Sequence, residues 1–260
     1  VAPLTSITRA PWHPALRGVV ELLWLAPGRG DGGRERVIPS GGAHLAWRVG
    51  AEVRIGDDQV ERHGVLGGAR SSSHVHDTVP AWSLGVMLRP GALPRLFRES
   101  ARALAERHVG LADLCGAEAR ELQERLDADP AAGLGHLEAW LVSRLRPDPT
   151  PAGLGRALAA LEAGLSVEAA ARRVGRSPRA VGGWFHDAVG LSPCRWATVR
   201  RVQRAMTLAA RVSDGTEVAS LAGFADHPHL CRDFRAVTGV TMGEWRGHVP
   251  GQPAHVPIRG

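Results

Sequence analysis

Phe185 and Phe234 stand 49 positions apart, and so do Gly190 and Gly239. Each pair closes a similar stretch. Ala171-Arg172-Arg173-Val174-Gly175-Arg176-Ser177-Pro178 leads to the first Phe and Gly; Ala219-Ser220-Leu221-Ala222-Gly223-Phe224-Ala225-Asp226 leads to the second. Each copy reads as an alanine-rich helix, a glycine turn and a further helix. That is the layout of a helix-turn-helix, whose second helix fits a DNA major groove. Two such units on one chain imply one elongated site on double-stranded DNA.

Charge placement agrees with this. The formal net charge is +6, and all 32 basic residues are Arg. Residues 1–149 hold 18 Arg and 18 acidic residues, whereas residues 150–260 hold 14 Arg and 8 acidic residues. The excess positive charge therefore travels with the repeat, as phosphate contact requires. Three widely spaced cysteines, Cys115, Cys194 and Cys231, support neither a disulfide framework nor a zinc ribbon. No run approaches the ~20 apolar residues of a membrane span, so the expectation is a cytoplasmic protein without membrane contact.

Local signals place the helices of the second half. Leu154 to Ala163 forms one, and Ser166 caps the next as far as Val174. Ser177-Pro178 opens a helix whose Val181, Trp184, Phe185 and Val189 recur at three and four and are expected to pack inward. Ser192-Pro193 opens a longer helix, expected to run to about Arg211 and to join the two units.

In the first half, short strands are expected over Val19–Leu25, Arg34–Ile38, His44–Val49, Glu52–Ile55 and Trp82–Leu88, separated by turns at 28–33 and 56–58. Such strands suggest a barrel or sandwich. Helices are expected over Pro94–Ala105, Ala117–Leu126 and Leu134–Leu145, before the break Pro147-Asp148-Pro149-Thr150-Pro151. The expected organisation is an α+β chain: 1–146 a β-rich domain with trailing helices, 147–153 a linker, 154–248 an all-α domain of two helix-turn-helix units joined by a helix, and 249–260 a flexible tail.

Leu165 to Arg246 resembles the DNA-binding domain of the AraC family of bacterial transcription regulators. The likeness rests on Gly190-Leu191-Ser192-Pro193 after Phe185, on Arg201-Val202-Gln203-Arg204-Ala205, on Gly223-Phe224-Ala225-Asp226, and on Phe234 through Thr241 to Trp245-Arg246. It implies base-facing positions at Arg179, Gly182, Gly183 and His186, and at His227, His229, Cys231, Arg232 and Arg235. Arg179 and Arg232 suit bidentate contact with guanine, and His186 and Arg235 suit phosphate. Gly182-Gly183 departs from the family pattern and leaves the first unit with little means of reading sequence. Pro228 is a second departure, tolerated in a first helical turn.

The front half is similar to a cupin-like sensor domain that precedes this DNA-binding domain in some AraC-type regulators. Arg36-Val37-Ile38-Pro39-Ser40-Gly41-Gly42 and Ser83 to Ala92 carry that likeness. It implies a domain that binds a small-molecule effector or forms a homodimer. Trp24, Trp47 and Trp82 are candidates to line an effector pocket, against the alternative of core packing. His74-x-His76 with His63 upstream is a weaker candidate for metal ligation; the surrounding Ser71-Ser72-Ser73 and Asp77-Thr78 read as a surface loop. No cofactor is expected, and no nucleophile, base or phosphate loop points to an enzyme. A transcription regulator controlled by an effector is the leading expectation. A metal-dependent cupin enzyme with a DNA-binding tail and a non-specific architectural binder are the alternatives.

Overall fold

The computed structural model describes residues 6–28, 33–55, 59–247 and 254–258. Most of the two expected turns, residues 29–32 and 56–58, lies outside the described residues. Ten strands come first: β1 (Ile7–Arg9), β2 (Val20–Ala26), β3 (Arg34–Val37), β4 (His44–Arg48), β5 (Val53–Ile55), β6 (Gln59–Glu61), β7 (Val65–Gly67), β8 (His74–Asp77), β9 (Ser83–Leu88) and β10 (His108–Gly110). Helix α1 (Ala101–Leu104) precedes β10, and α2 (Leu111–Cys115), α3 (Ala117–Ala128) and α4 (Gly133–Arg144) follow it. The second half holds α5 (Leu154–Glu162), α6 (Val167–Arg173), α7 (Pro178–Ala188), α8 (Pro193–Ala209), α9 (Gly215–Ala222), α10 (His227–Thr238) and α11 (Met242–Arg246). Strand β11 (His255–Ile258) comes last.

The strands form three antiparallel sheets, ordered β1-β2-β9-β4-β7-β10, β11-β3-β8 and β5-β6. Strand β4 shows how they divide the space. Successive side chains on a strand point to opposite faces. Leu45 and Trp47 enter a core shared with α3 and α4, while His44, Ala46 and Arg48 face a cavity on the other side. Trp47 is fully buried and meets Trp140 of α4 edge to face.

The helical half is a repeat in structure as well as in sequence. Side-chain oxygens of Ser177 and Asp226 cap α7 and α10 by accepting from backbone N–H groups, and those of Ser192 and Thr241 cap α8 and α11. Each cap pair keeps the 49-residue step. So do the aromatic pairs behind them: Phe185 meets Trp196 at 5.8 Å and 68°, and Phe234 meets Trp245 at 6.0 Å and 69°. Gly190 and Gly239, with φ of 95° and 74°, end the two second helices in left-handed turns that a side chain would strain. Val181, Phe185 and Val189 are buried as expected, with Trp184 half-buried beside them. Helix α8 stops at Ala209 rather than Arg211; its 17 residues span about 26 Å.

Two expectations change. The single helix expected over Pro94–Ala105 is a 3-10 turn, Leu93–Arg95, followed by the short α1, because Ser100 takes an extended conformation and caps afresh. The stretch expected to be a flexible tail holds β11, which pairs with β3 over four residues, His255 opposite Val37 and Ile258 opposite Arg34. Val256 and Ile38 join the core of the second helix-turn-helix. The two halves are thus built into each other. No helix among the described residues is long and apolar enough to cross a membrane.

Candidate nucleic-acid interface and ligand cavity

Helices α7 and α10 occupy the second position of each helix-turn-helix. Arg179 on α7, and Cys231, Arg232 and Arg235 on α10, are exposed. No ion-pair or hydrogen-bond partner holds any of the three arginines among the described residues. Their guanidinium groups are free to meet phosphate or a guanine edge. A Cβ added to Gly182 or Gly183 would meet nothing within 4 Å, so crowding does not demand glycine at either place. His186 is half-buried on the same helix.

The two remaining histidines of α10 are partly committed. His229 Nε2 lies 3.3 Å from Asp233, and its ring stands edge-on to Phe224 at 5.3 Å. Asp233 also faces Arg201 of α8 at 3.5 Å. His229 thus holds Asp233, the residue that pairs with α8, as well as lying on the expected base-facing helix. His227 Nε2 lies 3.4 Å from Cys231 Sγ, which draws that pair together on one turn.

A cavity of about 510 Å³ lies between the sheets of the first half. Such a volume falls in the range that takes small ligands, ~300–1,000 Å³. Of the three tryptophans considered, Trp24 lines it; Trp47 is core, and Trp82 packs against that core. His74 and His76 are not in a surface loop. They belong to β8 and line the cavity, whereas His63 does not.

Five histidines, His44, His74, His76, His108 and His255, line this one space. The ring of His108 lies 4.6 Å from that of His74 and 5.6 Å from that of His44. Burial pushes His44 down to about 3, with the neighbouring His108 adding to the shift, and pushes His108 to about 4. What surface His44 retains faces the cavity rather than bulk water. His74 falls to about 2 for the same reason, burial first and His108 second.

Glu35 projects from β3 into the same region. His76 Nε2 and His255 Nδ1 donate to its Oε1 at 2.6 and 2.9 Å. Burial alone would raise this carboxyl, but the hydrogen bonds from His255 and His76 outweigh it and hold the group well below the usual carboxylate range. Glu35 was hidden from sequence reasoning inside the charged run Arg34-Glu35-Arg36, although strand alternation puts it on the side opposite its neighbours. His255 gave no local signal at all.

Cavity and helices meet at β3 and the segment after it. Arg36 lies against Gly239, the residue that ends α10, and Ser73 N–H donates to Val237 of α10 at 2.8 Å. The carbonyls of Pro39 and Ser40 accept from Gln203 and Arg200 of α8 at 2.5 and 3.1 Å. Gly41 packs on the Trp196 indole. The motif Arg36 to Gly42 is thus the seat of the linker helix.

Comparison with known proteins separates the halves again. Residues 154–248 match a family described as a helix-turn-helix domain, and residues 8–110 match a domain of unknown function, DUF6597. No curated protein matches the chain. The DNA-binding domain of AdpA, solved with a target DNA, is 31% identical over 36% of this chain and 90% of its own, with a TM-score of 0.34. An AraC-type DNA-binding domain from Chromobacterium violaceum is 27% identical over 39% and 92%, with a TM-score of 0.35. ToxT from Vibrio cholerae is 9% identical but aligns over 88% of this chain and 99% of its own at a TM-score of 0.51, a likeness of fold. By its double helix-turn-helix and the family match over residues 154–248, the second half of the chain is an AraC-type helix-turn-helix domain of a transcription regulator.

Proposed function

We propose that the chain is a sequence-specific regulator whose grip on DNA is set by a small molecule in the cavity of its first half. The observation that carries this is the double use of one strand. Glu35 and Val37 of β3 line the cavity, while Arg36 between them touches the end of α10. A ligand that shifts β3 acts at once on the second recognition helix and, through Ser40, on the helix joining the two units. By linkage, DNA and ligand then alter each other's affinity by the same factor.

The cavity serves recognition rather than catalysis in this reading. Arg232 and Arg235 contact the DNA on the second unit and Arg179 on the first, with two chains on tandem or inverted sites accounting for a longer footprint. The test is a binding series with the full chain, its own upstream DNA against scrambled competitor, at two salt concentrations. Discrimination at both supports the regulator. Affinity that is salt-dependent without discrimination favours an architectural binder, a reading that Gly182-Gly183 makes concrete. Compounds that raise the melting temperature of the full chain then identify the effector class. A fragment ending before the helical half is unsuitable, since β11 completes the sheet that walls the cavity.

A further inference from the structure

Glu35, His76 and His255 bring one carboxylate oxygen and two imidazole nitrogens within 4.8 Å of one another. They belong to three neighbouring strands of one sheet, β3, β8 and β11. Backbone register fixes them there. Glu35 sits directly opposite His76, and His255 sits opposite Val37, the next residue on the Glu35 face. Pairing of this kind sets all three side chains on one side of the sheet.

Glu35 is only 7% exposed, and its Oε2 is buried with no hydrogen-bond partner. A carboxylate enclosed in this way needs a compensating cation or further donors. Its two imidazole neighbours both address Oε1 and leave Oε2 untouched. Three further imidazoles, on His44, His74 and His108, line the same cavity.

We propose that Glu35, His76 and His255 form a binding site for a divalent transition-metal ion of the zinc class, which fastens β11 to the cavity wall. Two imidazoles with one carboxylate suit such an ion, whereas calcium and magnesium prefer all-oxygen sets. The required adjustment is within reach of side-chain rotation. Ligands on one tetrahedral zinc with bonds of ~2.0–2.2 Å sit roughly 3.3 Å apart. The present separations from Oε1, 2.6 and 2.9 Å, need widen by roughly 0.4–0.7 Å, and the two imidazole nitrogens, within 4.8 Å of each other, close toward the same spacing. A fourth position opens toward the cavity, where solvent or a ligand donor completes the set. Zinc uptake is read without DNA present, so this proposal and the DNA-binding reading fail separately.

The test is calorimetric titration of the chelator-treated full chain with zinc chloride, alongside hydrogen exchange of residues 255–258. One ion per chain is expected, with slower exchange in β11 when it is bound. Glu35→Gln and His255→Ala should each weaken uptake roughly tenfold or more, and His63→Ala, outside the cavity, should not. Circular dichroism checks folding; should Glu35→Gln disturb it, His255→Ala in the outermost strand still decides. Lack of uptake reduces the cluster to a hydrogen-bonded knot and overturns the proposal. Uptake that survives both substitutions overturns it too, placing the ion elsewhere. DNA affinity measured on the same samples tells separately whether the regulator reading stands.

Discussion

Arg200 of α8 donates from Nη1 to the carbonyl oxygen of Ser40, 160 positions earlier, at 3.1 Å. Its Nε and Nη2 hold the carboxylate of Glu162 on α5 at 2.9 and 3.2 Å. One guanidinium therefore ties the helix between the two DNA-binding units to the β-rich half and to the helix that leads into the first unit.

Arg200→Ala should lower the free energy of unfolding by about 1–3 kcal/mol, because it strands a carbonyl and frees a half-exposed carboxylate. Lysine restores the charge without the fork, so Arg200→Lys should recover only part. The urea midpoint reads both; an unchanged midpoint for the alanine variant would mean the tie carries no load.

Arg232→Ala should weaken binding to the specific site by ~1–3 kcal/mol and relax base preference at one position. Arg235→Ala should instead reduce affinity evenly across sequences and lessen the salt slope by about one. Arg179→Ala should matter less than Arg232→Ala, since its helix presents two glycines beside it. Affinities for a panel of single-base variants rank the three, and a larger effect at Arg179 reverses the assignment.

Gly182→Ala and Gly183→Ala should each stabilise the protein by up to ~1 kcal/mol, through helix propensity without a clash. Thermal unfolding measures the gain. If either variant binds DNA much more weakly while melting higher, the glycines serve a close approach of helix α7 to the duplex.

Acid should destabilise the first half. His44 stays neutral in the folded chain down to about 3, yet in the unfolded chain it takes up a proton near its ordinary value, about 6.5. The unfolded state then binds more protons, so stability falls as pH drops below that value and is unaffected above it. The slope reaches at most ~1.4 kcal/mol per pH unit for one imidazole, and His108, held to about 4, adds a similar slope over a shorter range. Urea unfolding at about pH 7, 6 and 5 should show a decline that His44→Gln flattens; parallel curves for both proteins would refute the assignment.

The helical half was legible because its signals are local. Ser166, Ser177 and Ser192 mark helix starts by a side chain that accepts within three residues, and Phe185 and Phe234 recur at a step that packing preserves. Strands β2, β4 and β9 were legible from their branched and aromatic residues, and β3 only from Val37-Ile38 at its end. Strand β8 was not, because Ser71-Ser72-Ser73 and the polar His74-Val75-His76-Asp77 resemble a loop; its His74 and His76 face a cavity, where polar side chains are no anomaly. The histidine and glutamate cluster was beyond local reading altogether. His255 lies 220 residues from Glu35, and only the pairing of β11 with β3 brings them together.

That pairing also sets an order of events during synthesis. The outer edge of β3 leaves the ribosome early, and its partner strand follows only after every helix of the DNA-binding half. Until then a row of unpaired backbone groups stands open to other chains, the kind of edge that invites aggregation. Products truncated before β11 should therefore be the sticky ones, and β11 acts as the seal on that edge.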